Sequence, residues 1–186
     1  MAANFIIAEP FMGAVPVTQT DSFDVTAGSH LKHRLGLQVR AFDNQTGSLN
    51  LGAGVFQYCA ASGAATSAGR GDWVQIVGRS AIPVDAANSE SRFPLGVAAG
   101  NLSRSDVAGW VQIQGLVDYG KCTDSAVVAG NALYVCAGTT GLLLSNSVNG
   151  NQVFGAVAFT SASSSASRAA SYQLNYPRML GSTQAF

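Results

Sequence analysis

Short apolar runs broken by glycine set the texture of this chain. In residues 109–117 the segment Trp110-Val111-Gln112-Ile113-Gln114 puts Trp110, Gln112 and Gln114 on one side and Val111 and Ile113 on the other. A period of two marks a strand with two unlike faces. Comparable runs at 54–60, 72–77, 94–99, 132–137, 141–144, 153–159 and 171–176 predict further strands. Asp43-Asn44, Thr140-Gly141 and Asn149-Gly150 are turn signals between runs. No segment carries a sustained helical period. The serine-rich stretch 161–170 reads either as loop or as a short helical turn. Many short strands with regular turns predict an all-β fold, a small β-barrel or β-sandwich.

One run has an echo. Gly71-Asp72-Trp73-Val74-Gln75-Ile76-Val77-Gly78 resembles Ala108-Gly109-Trp110-Val111-Gln112-Ile113-Gln114-Gly115. Two copies make a duplicated hairpin unit at most, and a tryptophan-led barrel strand that recurs through packing explains them equally well. Residues 1–28 differ from the rest. Pro10 and Pro16 fragment any regular element there, and Phe5, Ile6, Ile7, Phe11 and Met12 follow no period that buries them locally. The reading is an extended N-terminal arm over 1–28, which wraps its own barrel or reaches a neighbour, followed by a β-barrel or β-sandwich domain over 29–186. The arm lacks a basic leader and Glu9-Pro10 interrupts its apolar run, so it does not read as a signal peptide. No apolar stretch approaches the roughly 20 residues of a membrane-spanning helix.

Composition narrows the function. The 186 residues carry ten basic and ten acidic side chains, and charged residues make up 11%, against about 25% in an ordinary soluble domain. Zero net charge argues against nucleic-acid binding through phosphate neutralisation and against docking on anionic lipid. A neutral surface with few charges favours association, so the chain is expected in an oligomer or on a larger body. A surface of Ser, Thr, Asn and Gln is the alternative. The odd set Cys59, Cys122 and Cys136 fits no zinc spacing and reads as free thiols made in a reducing cytosol.

Catalytic chemistry is sparse. His30 and His33 are the only histidines, with Asp21 and Asp24 the only further ligand types near them, so no metal site is expected. Glutamate occurs only at Glu9 and Glu90, and no nucleophile elbow or phosphate loop is present. Arg70-Gly71-Asp72 spells an adhesion tripeptide that arises readily by chance, and here it leads into a strand. Asn44-Gln45-Thr46 and Asn101-Leu102-Ser103 match the glycosylation sequon without a secretion signal. Tyr58, Trp73, Trp110 and Tyr119 form either a sugar-stacking platform or barrel core. The expectation is a protein that is not an enzyme and needs no cofactor.

The order of these pieces resembles a known family. His33-Arg34-Leu35-Gly36-Leu37-Gln38-Val39-Arg40-Ala41-Phe42-Asp43-Asn44 leads to Gly54-Val55-Phe56-Gln57-Tyr58, then to Gly71-Asp72-Trp73-Val74-Gln75-Ile76. Leu95-Gly96-Val97-Ala98, Gly109-Trp110-Val111-Gln112-Ile113-Gln114-Gly115 and Val153-Phe154-Gly155-Ala156-Val157-Ala158 follow. This layout, from about His33 to about Tyr176, is similar to that of the head-decoration (cement) proteins of tailed bacteriophages. The resemblance implies a small β-barrel or β-sandwich on the outer face of an icosahedral capsid, made in the host cytoplasm. It implies a homotrimer that stabilises contacts between major capsid subunits. The arm, the segment 161–171 and the tail 177–186 depart from the family layout.

With little charge available, attachment is expected to rest on apolar burial at about 25 cal/mol per Å² and on avidity from repeated copies. Phe5, Ile6, Ile7 and Phe11 are the expected capsid or subunit interface. The competing expectation is a virion-surface carbohydrate-binding or adhesin module that uses exposed aromatics.

Overall fold

The computed structural model describes residues 5–7, 15–16, 21–22, 31, 33–43, 52–61, 67–84, 93–102, 107–122, 127–136, 141–144, 152–161 and 169–179. They form an all-β fold. The strands are β1 (Phe5–Ile7), β2 (Val15–Pro16), β3 (Asp21–Ser22), β4 (Gln38–Asp43), β5 (Ala53–Ala61), β6 (Trp73–Val77) and β7 (Ser80–Pro83). They continue as β8 (Leu95–Ala98), β9 (Val107–Lys121), β10 (Leu133–Val135), β11 (Leu143–Leu144), β12 (Gln152–Ala158) and β13 (Ala169–Met179). All thirteen belong to one hydrogen-bonded sheet.

That sheet curls into two rings that share β9. In the first, β9 pairs with β8, β8 with β6, β6 with β7, β7 with β5, and β5 returns to β9. Closure leaves this ring no free edge between its members. Its interior holds Cys59, Ala61, Val74, Ile76, Ala81, Ala98, Val107, Val111 and Ile113. In the second, the later half of β9 pairs with β13, and β12, β10 and β11 follow. A bridge between Cys122 and Leu143 brings β11 back to the end of β9. Val117, Tyr119, Leu133, Val153, Tyr172 and Leu174 belong to this larger core.

Gly115 marks the change of partner along β9. Val55 of β5 faces Gln114, and Leu174 of β13 faces Gly115. Its φ of 100° lies in the left-handed region, and a Cβ there would sit 2.7 Å from the Ala53 carbonyl oxygen. Only glycine satisfies both constraints.

The two Trp-Val-Gln-Ile segments occupy β6 and β9, which flank β8: Trp73 and Gln112 both face Val97. In each, valine and isoleucine enter the small core while tryptophan and glutamine are buried on the opposite face. The echo therefore follows from two strands of one ring having the same pair of buried faces. Buried glutamine needs partners. Tyr119 donates its hydroxyl hydrogen to Gln112 Oε1 at 2.8 Å, and Gln112 Nε2 donates to the carbonyls of Leu116 at 3.1 Å and Gln114 at 3.3 Å.

Each run expected to be a strand contributes one, although β9 extends well past 109–117 in both directions. β4 and β7 were not expected: Gln-Val-Arg-Ala-Phe-Asp mixes charge into its alternation, and Ser-Ala-Ile-Pro is short and ends in proline. Of the serine-rich stretch, 162–168 lie outside the described residues, while Ala169 and Ala170 open β13. Within the arm, β1 pairs antiparallel with β4 and with β2, and β3 pairs with the start of β9. The described arm segments are thus strands of the chain's own sheet.

Removing either partner of the Tyr119–Gln112 bond strands a buried polar group. Tyr119→Phe is expected to cost about 1–2 kcal/mol and Gln112→Leu about 1–3 kcal/mol. A double-mutant cycle by urea unfolding should give a coupling of about 1 kcal/mol, and strict additivity would show the bond contributes nothing.

Candidate interaction surface

The exposed side of this scaffold is built by alternation. In β4, Val39 and Ala41 are buried while Gln38, Arg40 and Phe42 face outward. In β12, Val153, Ala156 and Ala158 are buried while Phe154 and Val157 are exposed, and Phe159 follows directly, 60% exposed. In β13, Tyr172 and Leu174 point inward, and Gln173, Tyr176 and Arg178 point outward. Phe154 pairs with Arg178 and Val157 with Gln173, so the outward residues of β12 and β13 form one face.

A register shift between Phe154 and Ala156 bends this ribbon. Opposite it, Tyr176 has a φ of 48°, the one positive value for a non-glycine residue among the described residues. Such a backbone costs a tyrosine about 1–2 kcal/mol. The bend gives two consecutive residues of β13, Asn175 and Tyr176, an outward position and sets the Tyr176 ring at the edge of a pocket.

Two pockets, each of about 330 Å³, lie against the exposed side of β4, β5, β9 and β13. Gln38, Gln57, Leu95, Ile113, Tyr176 and Arg178 line the first. Arg40, Phe42, Val55, Gln114, Gly115 and Gln173 line the second. Gln173 and Arg178 line the pockets and pair with Val157 and Phe154, so the exposed residues of β12 border the pockets. Phe42, Phe154, Phe159 and Tyr176 are each 40–60% exposed.

The charge on this surface is of one sign. Arg40 and Arg178 have no carboxylate partner among the described residues, and no carboxylate lines either pocket. Gln38 Nε2 donates to Gln57 Oε1 at 3.1 Å across the β4–β5 pair.

Other expected site residues lie elsewhere. The backbone of Phe5, Ile6 and Ile7 pairs with Asp43, Phe42 and Ala41. Phe11 and His30 fall outside the described residues. His33 packs against Tyr58 at 5.1 Å and Trp110 at 5.3 Å between ring centroids, as part of the core edge. Tyr58, Trp73, Trp110 and Tyr119 are all buried, so these four rings build the cores and offer no stacking platform. The adhesion tripeptide is locked down. Gly71 N–H donates to the Ala98 carbonyl, and Lys121 N–H donates to the Gly71 carbonyl, both at 2.8 Å. The Arg70 guanidinium lies over the Tyr119 ring, 5.0 Å from its centroid. The Asp72 carboxylate accepts from Gly69 N–H at 2.6 Å and meets Lys121 Nζ at 2.7 Å. Asn101 of the second sequon accepts from Arg70 N–H at 3.0 Å, and Asn44 lies outside the described residues.

Cys59, Cys122 and Cys136 form no disulfide with one another. Strand β11 lies between the last two, with Leu143 paired both to Val135 and to Cys122. Burial pushes the Cys59 thiol up to about 12, against a weaker opposing hydrogen bond from Gln57. Burial also raises Tyr119 and Tyr172, with Arg70 opposing at Tyr119 and Cys122 adding to the rise at Tyr172. All three groups stay neutral at physiological pH and serve packing. Among the described residues no three His, Cys, Asp or Glu side chains gather, and no helix is long and apolar enough to cross a membrane.

Sequence reasoning missed Phe42, Phe154, Val157, Phe159, Tyr176, Arg40 and Arg178 as surface residues. A signal existed in Val153-Phe154-Gly155-Ala156-Val157-Ala158, which is apolar on both faces of a strand. Such a run calls for cover on both sides. No family model matches the chain, and no curated protein matches it.

Two outcomes follow from this geometry. Tyr176→Gly relieves the left-handed strain, so thermal unfolding should show stability unchanged or raised by up to about 1 kcal/mol; a loss of 2 kcal/mol or more would place the ring in the core. The raised Cys59, Tyr119 and Tyr172 values mean that the unfolded chain releases these protons first, so stability should fall as pH rises above about 9, the ordinary value for Cys59. Urea melts from pH 8 to 11 should show this slope, and Cys59→Ala should remove its onset near pH 9 while leaving the tyrosine part above about pH 10.

Proposed function

We propose that this chain is a structural virion protein that binds the outer surface of an icosahedral phage capsid and stabilises contacts between major capsid subunits. The observation that carries this reading is the apolar face of β4, β12 and β13, displayed on a neutral, sparsely charged chain. Exposed aromatics gathered on one side of a molecule are a feature of interaction sites, and a lattice clamp needs an attachment patch. The family layout from about His33 to about Tyr176 supports the same reading. The pairing of β4 with β5 and of β12 with β13 holds these side chains on one hydrogen-bonded sheet, which lowers the ordering cost of docking. A homotrimer would present each patch three times, so weak single contacts would gain avidity. The four rings named for the carbohydrate-binding or adhesin module, Tyr58, Trp73, Trp110 and Tyr119, are buried.

The test uses phage heads that lack this protein. Added protein should bind in hundreds of copies per head, counted by particle mass, and should raise the temperature at which heads release DNA. The variant Phe42→Ser/Phe154→Ser/Phe159→Ser, with an unchanged melting temperature of its own, should lose both effects. Failure of the unaltered protein to bind heads, or binding that survives the triple change, would overturn the proposal.

A further inference from the structure

The two pockets described above have a definite arrangement. β4 is antiparallel to β5, β5 to β9, and β9 to β13, so β4 and β13 run antiparallel to each other. The pocket residues keep this order: Gln38 accompanies Tyr176 and Arg178, while Arg40 and Phe42 accompany Gln173. The two pockets therefore follow one another along β4 and β13, in one line termed the trough. Gln38 to Phe42 is four residue steps, about 13 Å of strand, which is the length of four or five residues of extended chain.

Its chemistry is equally definite. Four side-chain amides, Gln38, Gln57, Gln114 and Gln173, line the trough. A primary amide offers the donor and acceptor couple of a peptide group, so these side chains can pair with an extended main chain. Both β4 and β13 already have strand neighbours on either side, so a ligand cannot add to the sheet and must bond to these side chains. Arg40 and Arg178 supply planar guanidinium groups without a carboxylate partner among the described residues, suited to bidentate binding of carboxylates. Phe42 and Tyr176, 51% and 47% exposed, add apolar contact towards the two ends.

We infer that this trough seats an extended acidic segment of the partner protein, its carboxylates on Arg40 and Arg178 and apolar side chains on Phe42 and Tyr176. The inference rests on the capsid reading for the identity of the partner and deepens it by naming the chemistry of the segment. An anionic oligosaccharide carries carboxylates too, but it lacks the peptide groups that the amides match.

Isothermal titration of the full chain tests this with three probes: a capped pentapeptide alternating Glu and Val, the same peptide with Lys in place of Glu, and a uronic-acid hexasaccharide. The acidic peptide should bind, and the other two should bind at least ten-fold more weakly or not at all. Arg40→Gln/Arg178→Gln should weaken acidic-peptide binding at least ten-fold, each single change several-fold, and Arg79→Gln on the β6–β7 turn should leave it unchanged. All four variants alter exposed side chains, and their melting temperatures report folding independently. No binding of the acidic peptide, equal binding of the lysine peptide, tighter binding of the oligosaccharide, or indifference to the arginine changes would each overturn the inference. The titration contains no heads. Peptide failure with intact head binding removes the trough and leaves the proposed attachment standing; head-binding failure with intact peptide binding does the reverse.

Discussion

The molecule depends on β9 being shared. Its fifteen residues reach about 50 Å when extended, and β3, β5, β8 and β13 all pair with it. One half contributes Val107, Val111 and Ile113 to the small core, and the other contributes Val117 and Tyr119 to the large one. A strand with partners on both edges and cores to both sides has almost no polar freedom. Gln112 is tolerated inside it because Tyr119 and two carbonyls satisfy its amide. Gly115 lets the chain exchange one set of partners for the next without leaving the sheet.

This arrangement explains the surface. Trp73, Trp110, Tyr58 and Tyr172 are consumed by the cores, where large rings fill the space between two small rings of strands. Small residues are abundant beside them: Gly, Ala and Ser total 70 of the 186 residues. The aromatics left outside, Phe42, Phe154, Phe159 and Tyr176, lie on strands whose inner positions are valine, alanine, tyrosine and leucine. They add nothing to either core. Their cost in solubility and the backbone strain at Tyr176 make sense on a face that is covered in use. Arg40 and Arg178 give that face its only charges among the described residues, and the proposed partner would match it with apolar area and carboxylates.

Much of the fold was legible in the sequence. Alternation in Trp110-Val111-Gln112-Ile113-Gln114 located the central strand, and the glycine-bounded apolar runs located its principal neighbours. Alternation reports that a strand has two faces but not which one meets water. For that reason the sequence leaves Tyr58 and Trp110 open as platform or core, with core the commoner fate of such rings, and does not single out Phe154 and Phe159. The adhesion tripeptide shows the same limit: its anchors Ala98, Asn101, Tyr119 and Lys121 lie far along the chain, and only the fold brings them together. The arm residues Phe5, Ile6 and Ile7 drew attention by their size, yet what is described of them is backbone pairing with β4. Arg40 and Arg178 were hidden because a trough along β4 and β13 has no signature in either strand alone.

The most direct measurement is hydroxyl-radical footprinting of the protein free and bound to heads, read residue by residue by mass spectrometry. The account expects Phe42, Phe154, Phe159 and Tyr176 to be oxidised readily in the free protein and protected on the particle, with Trp73 and Trp110 unreactive in both states. Unchanged oxidation of those four rings on the particle, or protection confined to other surfaces, would contradict it.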